Sequence, residues 1–278
     1  MSNELPDIGD VITAKIDGVD VRCARSGKSD GIPVLLTSPW PESIYAFRQV
    51  LPAINAGSPV IAVDLPGFGR SESRPDLMSP VGMGDFVVKL AAHFGIERMH
   101  AVGPDVGTLA LLFASVRKPA LFVSLVVGSG AASVELVGGG LKDLIGSPAG
   151  YFANTDGGDV AVKFVTDSAA VMTPKAVLED YRLSSAGRRF EEATNFVRAY
   201  PRDLPRLKTH LPYIKTPILI LAGSHDPIVP PSNGQFLADL LPRCRNTLLE
   251  GGHLIWEDAA AAYASNVVEW IGGGYQSV

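Results

Sequence analysis

The chain has 278 residues, is 46% hydrophobic and carries a net charge of −5 from 24 basic and 29 acidic side chains. That is enough apolar material for a sizeable core, in one large domain or one domain with an insertion. No basic run exceeds two residues, which sets nucleic acid and anionic membrane surfaces aside as partners.

The chain opens on MSNELPDIGDVITAKIDG, which lacks the apolar stretch of a secretory signal. VITAKIDGVDVRCAR then reads as two alternating strands joined at Asp17-Gly18, a hairpin signal. After it the rhythm changes to short, wholly apolar runs: IPVLLTS (32–38), PVIAVDL (59–65), RMHAVG (98–103), LFVSLVVG (121–128), TPILILAG (216–223) and NTLLEGG (246–252). Such runs fit strands buried on both faces, in a parallel sheet flanked by helices. The intervening segments predict helices near 43–55, 80–94, 106–117, 232–241 and 255–271. No strand-like run falls between about 131 and 212, so that segment reads as a mostly helical insertion over one end of the sheet. The most apolar window, LFVSLVVGSGAASVELVGGGL, is too broken by glycine, serine and Glu135 to span a bilayer. Cys23 and Cys244 lie far apart and read as free thiols in a reducing compartment. The expectation is a cytoplasmic protein, monomer or homodimer.

Chemistry concentrates in AVGPDVGT, where Gly103 and Gly107 bracket Asp105 between a strand and a helix. Small neighbours suit a sharp strand-to-helix turn, and aspartate tolerates the positive φ at its centre. The helix N-terminus favours an ionised carboxylate there; the plain alternative is an N-cap. A carboxylate that attacks carbon forms an ester, and hydrolysing the ester calls for a base. Of the five histidines, His253 in LLEGGHLIWED follows a strand and can point over the sheet end. His93 and His100 flank the strand leading to Asp105 on its far side. Asp226, in LAGSHDPIVPP, would orient the base, with Glu135 as a weaker candidate. All three chosen residues follow strand C-termini, the edge where open α/β sheets place their sites.

These segments resemble the α/β-hydrolase superfamily over nearly the whole chain. VLLTSPWPES is similar to the HG-x-P loop of that family, with Ser38-Pro39 in place of HG. DLPGFGRSES resembles the loop after the fourth strand. VGPDVGT resembles the nucleophile elbow, LAGSHDPIVP the acid loop and GGHLIWED the histidine loop. Aspartate at the elbow, and RAYPRDLP (198–205), resemble the epoxide hydrolase and haloalkane dehalogenase branch. The resemblance implies an eight-stranded, mostly parallel sheet, a core of 1–130 and 213–278, and a helical cap over 131–212. It further implies Asp105 as nucleophile, His253 as base, Asp226 as its partner, and an oxyanion hole from the backbone N–H groups of Trp40 and Val106. No cofactor and no metal is implied. Epoxide opening in that branch uses two cap tyrosines, for which Tyr200, Tyr151 and Tyr181 are candidates. Dehalogenation uses a halide clamp, typically a Trp after the nucleophile plus an Asn or another Trp, and Val106 stands in the first position. The expected activity is opening of an epoxide on a small apolar molecule. The alternatives are dehalogenation, ester or lactone hydrolysis by water activated at His253, and a non-catalytic ligand-binding scaffold.

Overall fold

The computed structural model describes residues 4–278. Eight strands form one sheet: β1 (Asp10–Ile16), β2 (Val19–Gly27), β3 (Val34–Thr37), β4 (Pro59–Val63), β5 (Met99–Pro104), β6 (Phe122–Gly128), β7 (Ile218–Gly223) and β8 (Cys244–Leu249). Their order is β1-β2-β4-β3-β5-β6-β7-β8; β2 runs antiparallel to both neighbours, and β4 to β8 by way of β3 are parallel. Asp17 (φ 50°) and Gly18 (φ 83°) turn the β1–β2 hairpin, the paired positive φ of a two-residue loop that matches strand twist.

The helices are α1 (Leu51–Asn55), α2 (Pro80–His93), α3 (Val106–Arg117), α4 (Gly139–Gly146), α5 (Gly157–Ser168), α6 (Lys175–Ser185), α7 (Arg189–Arg198), α8 (Tyr200–His210), α9 (Ser232–Leu240), α10 (Ile255–Asp258) and α11 (Ala260–Ile271). The continuous apolar strands serve two cores at once. Ile61, Ala101, Ile218 and Ile220 face α2, α3 and α9, while Val60, Val102, Leu219 and Leu221 face α1 and α11. Burial on both faces is what a run without alternation requires. No helix among the described residues is long and apolar enough to cross a membrane.

Two expected elements differ. The helix expected over 43–55 is a 3-10 turn at Ile44–Phe47 followed by the short α1, because Pro52 has no N–H to bond back to Arg48. The last strand ends at Leu249 rather than 252, since Gly251 turns to φ 154°. Between β6 and β7 the chain holds α4 to α8 and no strand. A buried ion network ties this helical stretch to the sheet. Arg22 of β2 donates to both carboxylate oxygens of Asp180 in α6 at 2.8 and 2.9 Å, and to Asp64 at 2.6 Å, while the Ser43 hydroxyl donates to Asp180 at 2.6 Å.

Candidate active site

Parallel strands deliver their loops to one edge, and the candidate residues arrive there from four of them: Trp40 after β3, Asp105 after β5, Asp226 after β7 and His253 after β8. Asp105 has φ 52° and ψ −122°, and its N–H donates to the Gly128 carbonyl at 2.9 Å. The turn is tight enough that a Cβ at Gly103 would lie 2.6 Å from Thr37 Oγ1, and one at Gly107 would collide with the same oxygen. Thr108 Oγ1 donates toward the carbonyls of Gly103 and Gly128 at 3.1 and 2.9 Å, pinning the start of α3 to both strands.

Asp105 occupies the N-cap position of α3, but its side chain makes no capping hydrogen bond there. Instead its Oδ2 accepts the Trp40 N–H at 2.8 Å, and the Val106 N–H also bears on the carboxylate. Its Oδ1 faces His253 Nε2 at 3.8 Å, too far for a direct hydrogen bond. His253 Nδ1 lies 2.7 Å from Asp226 Oδ2. Asp226 Oδ1 accepts the N–H groups of Ile228 and Val229 at 2.8 and 2.9 Å, so that carboxylate is fixed before it meets the imidazole. The Trp256 ring packs edge-on against the imidazole at 5.9 Å, and Phe164 at 6.3 Å.

Burial dominates the electrostatics. It pushes the Asp105 carboxyl above its ordinary range, against the opposing pull of His253 and the Trp40 and Val106 N–H groups. The helix N-terminus alone therefore does not set its charge. Burial alone would lower His253, but the hydrogen bond and charge of Asp226, with the charge of Asp105, more than offset this and raise it. Tyr200 is 2% exposed, and burial with the Asp105 charge lifts its phenol well above the usual range. Its hydroxyl has no hydrogen-bond partner among the described residues.

Tyr200, Trp40, Asp105 and His253 border a cavity of about 230 Å³. Leu141, Leu144, Phe152, Val160, Phe164 and Phe190 of the helical stretch supply much of the rest of its wall. Among the described residues that line this wall, Asp105, His253 and Tyr200 are the ones with charged or hydroxyl side chains. The Trp40 ring stacks at 5.0 Å on Phe190. A wider hollow of about 520 Å³ opens at the opposite end of the strands, beside Arg98, Lys215, Arg243 and Tyr275; Asp105, Asp226 and His253 do not line it.

The other candidates lie elsewhere. Tyr151 is 65% exposed and packs on Phe152. Tyr181 is buried, but its hydroxyl donates to Glu257 Oε1 at 2.7 Å. Neither borders the cavity, so the pair of cap tyrosines reduces to Tyr200 alone. Glu135 is exposed on a 3-10 turn. His225 turns outward to Glu250 at 3.1 Å. The aromatic wall of Phe152, Phe164 and Phe190 was not anticipated; nothing in the local pattern marks which face of a short helix meets the cavity.

Comparison with known proteins agrees with this architecture. The model of the alpha/beta hydrolase fold family matches residues 32–260. A hydrolase of Bacillus subtilis (strain 168), YugF, is 25% identical over 92% of this chain and 96% of its own. A soluble epoxide hydrolase of Corynebacterium sp. (strain C12) is 34% identical, over 36% of this chain and 35% of its own. Among solved structures, haloalkane dehalogenase DbeA from Bradyrhizobium elkani USDA94 superposes with a TM-score of 0.81 at 21% identity, covering 96% of this chain and 99% of that one. Matched by the family model across most of its length, with the sheet order and loop positions described above, the chain belongs to the alpha/beta hydrolase fold family.

Proposed function

We propose that the protein is an epoxide hydrolase for small, uncharged, apolar oxiranes, with residues 131–212 acting as a cap over the site. The observation that carries this reading is the division of labour at Asp105: Oδ2 accepts the Trp40 N–H and Oδ1 faces His253. Oδ1 attacks an epoxide carbon, the carbon–oxygen bond of the ring breaks, and Tyr200 gives its proton to the departing alkoxide. The ester that results keeps Oδ2 as its carbonyl oxygen, already among the N–H donors. His253, oriented by Asp226, takes a proton from water, and the hydroxide adds to the ester carbon. Negative charge then develops on Oδ2, where preset donors stabilise it; one such donor is worth about a hundredfold or more in rate. Collapse breaks the bond to Oδ1. The diol leaves with the proton from His253, and the proton of the restored Asp105 carboxyl returns to Tyr200.

The wall sets the substrate class. An apolar cavity of about 150 Å³ accommodates benzene. On that scale the cavity of about 230 Å³ takes about nine non-hydrogen atoms. Apart from His253, already paired with Asp226, the described wall carries no cation or amide side chain, and a carboxylate or phosphate would also meet the Asp105 charge. A single turnover in heavy-oxygen water tests the route. Attack by Asp105 gives a first diol free of heavy oxygen, with the label left in the carboxylate; direct attack of water gives a labelled diol.

Dehalogenation is the second reading, favoured by one observation: the Trp40 ring borders the cavity and its Nε1–H is buried without an acceptor among the described residues. Halide release from a haloalkane series, compared with diol formation from the matching epoxides, separates the two.

A further inference from the structure

One residue past Pro41, which borders the cavity, lies a polar cluster that the proposed reaction does not use. Glu42 and Glu257 are 0% and 2% exposed. Arg48 donates to both oxygens of Glu257, at 2.7 and 2.6 Å, and Tyr181 of α6 donates to the same group at 2.7 Å. The charge of Glu257 is therefore balanced, and three of its about four acceptor positions are taken, with room left on Oε2. Glu42 has no such partner. Its Oε2 accepts the indole N–H of Trp256 at 3.0 Å, and no donor among the described residues reaches its Oε1. An ionised Glu42 would be a second buried anion sharing one guanidinium, with an oxygen left unsatisfied, an arrangement that burial penalises strongly. A neutral carboxyl removes both faults, because its O–H is a donor and Glu257 is an acceptor.

We propose that Glu42 is a positioning residue that carries a proton in the working protein, donating it in a hydrogen bond to Glu257 while its other oxygen holds Trp256. One neutral acid then staples the loop of Trp40, two residues upstream, to the segment of His253, whose ring packs against Trp256 at 5.9 Å. The titratable and charged groups bearing on Glu42 are Glu257, Arg48 and Tyr181, with His253 packed on the far side of Trp256. Burial and the charge of Glu257 raise the Glu42 carboxyl well above the usual carboxylate range, outweighing the Trp256 N–H and Arg48. The catalytic meaning of the staple rests on the roles given above to Trp40 and His253; the proton itself does not.

Infrared spectra of the whole protein across a pH series, with Glu42→Gln, Glu42→Ala and wild type side by side, test this. The wild type is expected to show the carbonyl band of a protonated carboxylic acid at neutral pH, absent in Glu42→Gln. The wild-type kcat falls at alkaline pH together with that band, with KM steady because Glu42 does not touch substrate. Glu42→Gln, a neutral donor that cannot ionise, keeps its kcat at neutral pH and loses the alkaline fall. Glu42→Ala displaces the staple, and a shift of about 1 Å at the donors costs about a hundredfold in kcat. Thermal unfolding gives a readout without substrate and without Glu42→Ala. A folded pKa raised above the unfolded value of about 4.3 gives stabilisation that is full below that pH and is lost as pH rises through the folded value. The Tm of wild type relative to Glu42→Gln should fall over that window. A wild-type spectrum without the band, or an unchanged Tm difference, overturns the proposal. Band and Tm shift present in a protein that opens no epoxide would leave Glu42 protonated and remove the functional reading alone.

Discussion

Asp105 is held at a positive φ that a non-glycine residue keeps only where its surroundings enforce it. The enforcement comes from the Gly128 carbonyl on its N–H and the Trp40 N–H on its carboxylate. Tyr200 is the complementary residue, a buried phenol facing that charge. Replacing Tyr200 with Phe removes the proton donor and should slow formation of the ester by about 10²- to 10⁴-fold, while leaving hydrolysis of a preformed ester unchanged; rapid-quench kinetics separate the two steps. His253 must be neutral to accept a proton from water. Because Asp226 raises its pKa, the rate of ester hydrolysis should climb as pH rises through that elevated value. In Asp226→Asn the acid limb moves to lower pH, because the anion that favoured the imidazolium is gone. At this scale the convergence of Asp105, Asp226 and His253 on one sheet edge was legible in the sequence, since each follows the C-terminal end of a strand. The tyrosines were not: Tyr181 and Tyr200 are both buried helical residues, and a packed partner, Glu257 for one and the cavity for the other, decides their roles.

The strand-to-helix turn is the element on which the site depends. Its glycines are required by the closeness of Thr37, not by flexibility. Gly107→Ala places a methyl group on Thr37 Oγ1, and overpacking of this kind costs about 1–3 kcal/mol. The fall in Tm should be partly restored by adding Thr37→Ala, and a double-mutant cycle measures the coupling. The strands were legible because a continuous apolar run is the signature of burial on both faces. The helix expected over 43–55 divides into a 3-10 turn and α1 because Pro52 has no N–H to continue the ladder. Of the wall residues, Phe152 lies in the turn between α4 and α5, and Phe164 and Phe190 lie on α5 and α7, where which face meets the cavity depends on how α4 to α8 pack together, which periodicity along the chain does not reveal.

Across the whole molecule, the sheet positions Asp105, His253 and Asp226 at one edge, while the helical stretch between β6 and β7 walls the cavity beside them. The Arg22–Asp180 pair and Ser43 hold that stretch to the core. With about nine non-hydrogen atoms of room, kcat/KM for terminal epoxides should rise with chain length up to that size and then fall. An epoxide bearing a carboxylate should react poorly at every length. Phe190→Ala should move the optimum to longer chains. Equal turnover of long and short substrates would mean that the cavity does not bound the substrate.

The most direct measurement is intact-protein mass spectrometry of His253→Ala after incubation with a small apolar epoxide, followed by mapping of the peptide HAVGPDVGTLALLF. Without its base the protein should accumulate an ester at Asp105, with a mass gain equal to the whole epoxide. No adduct at Asp105, while the wild type forms diol from the same epoxide, would contradict the account.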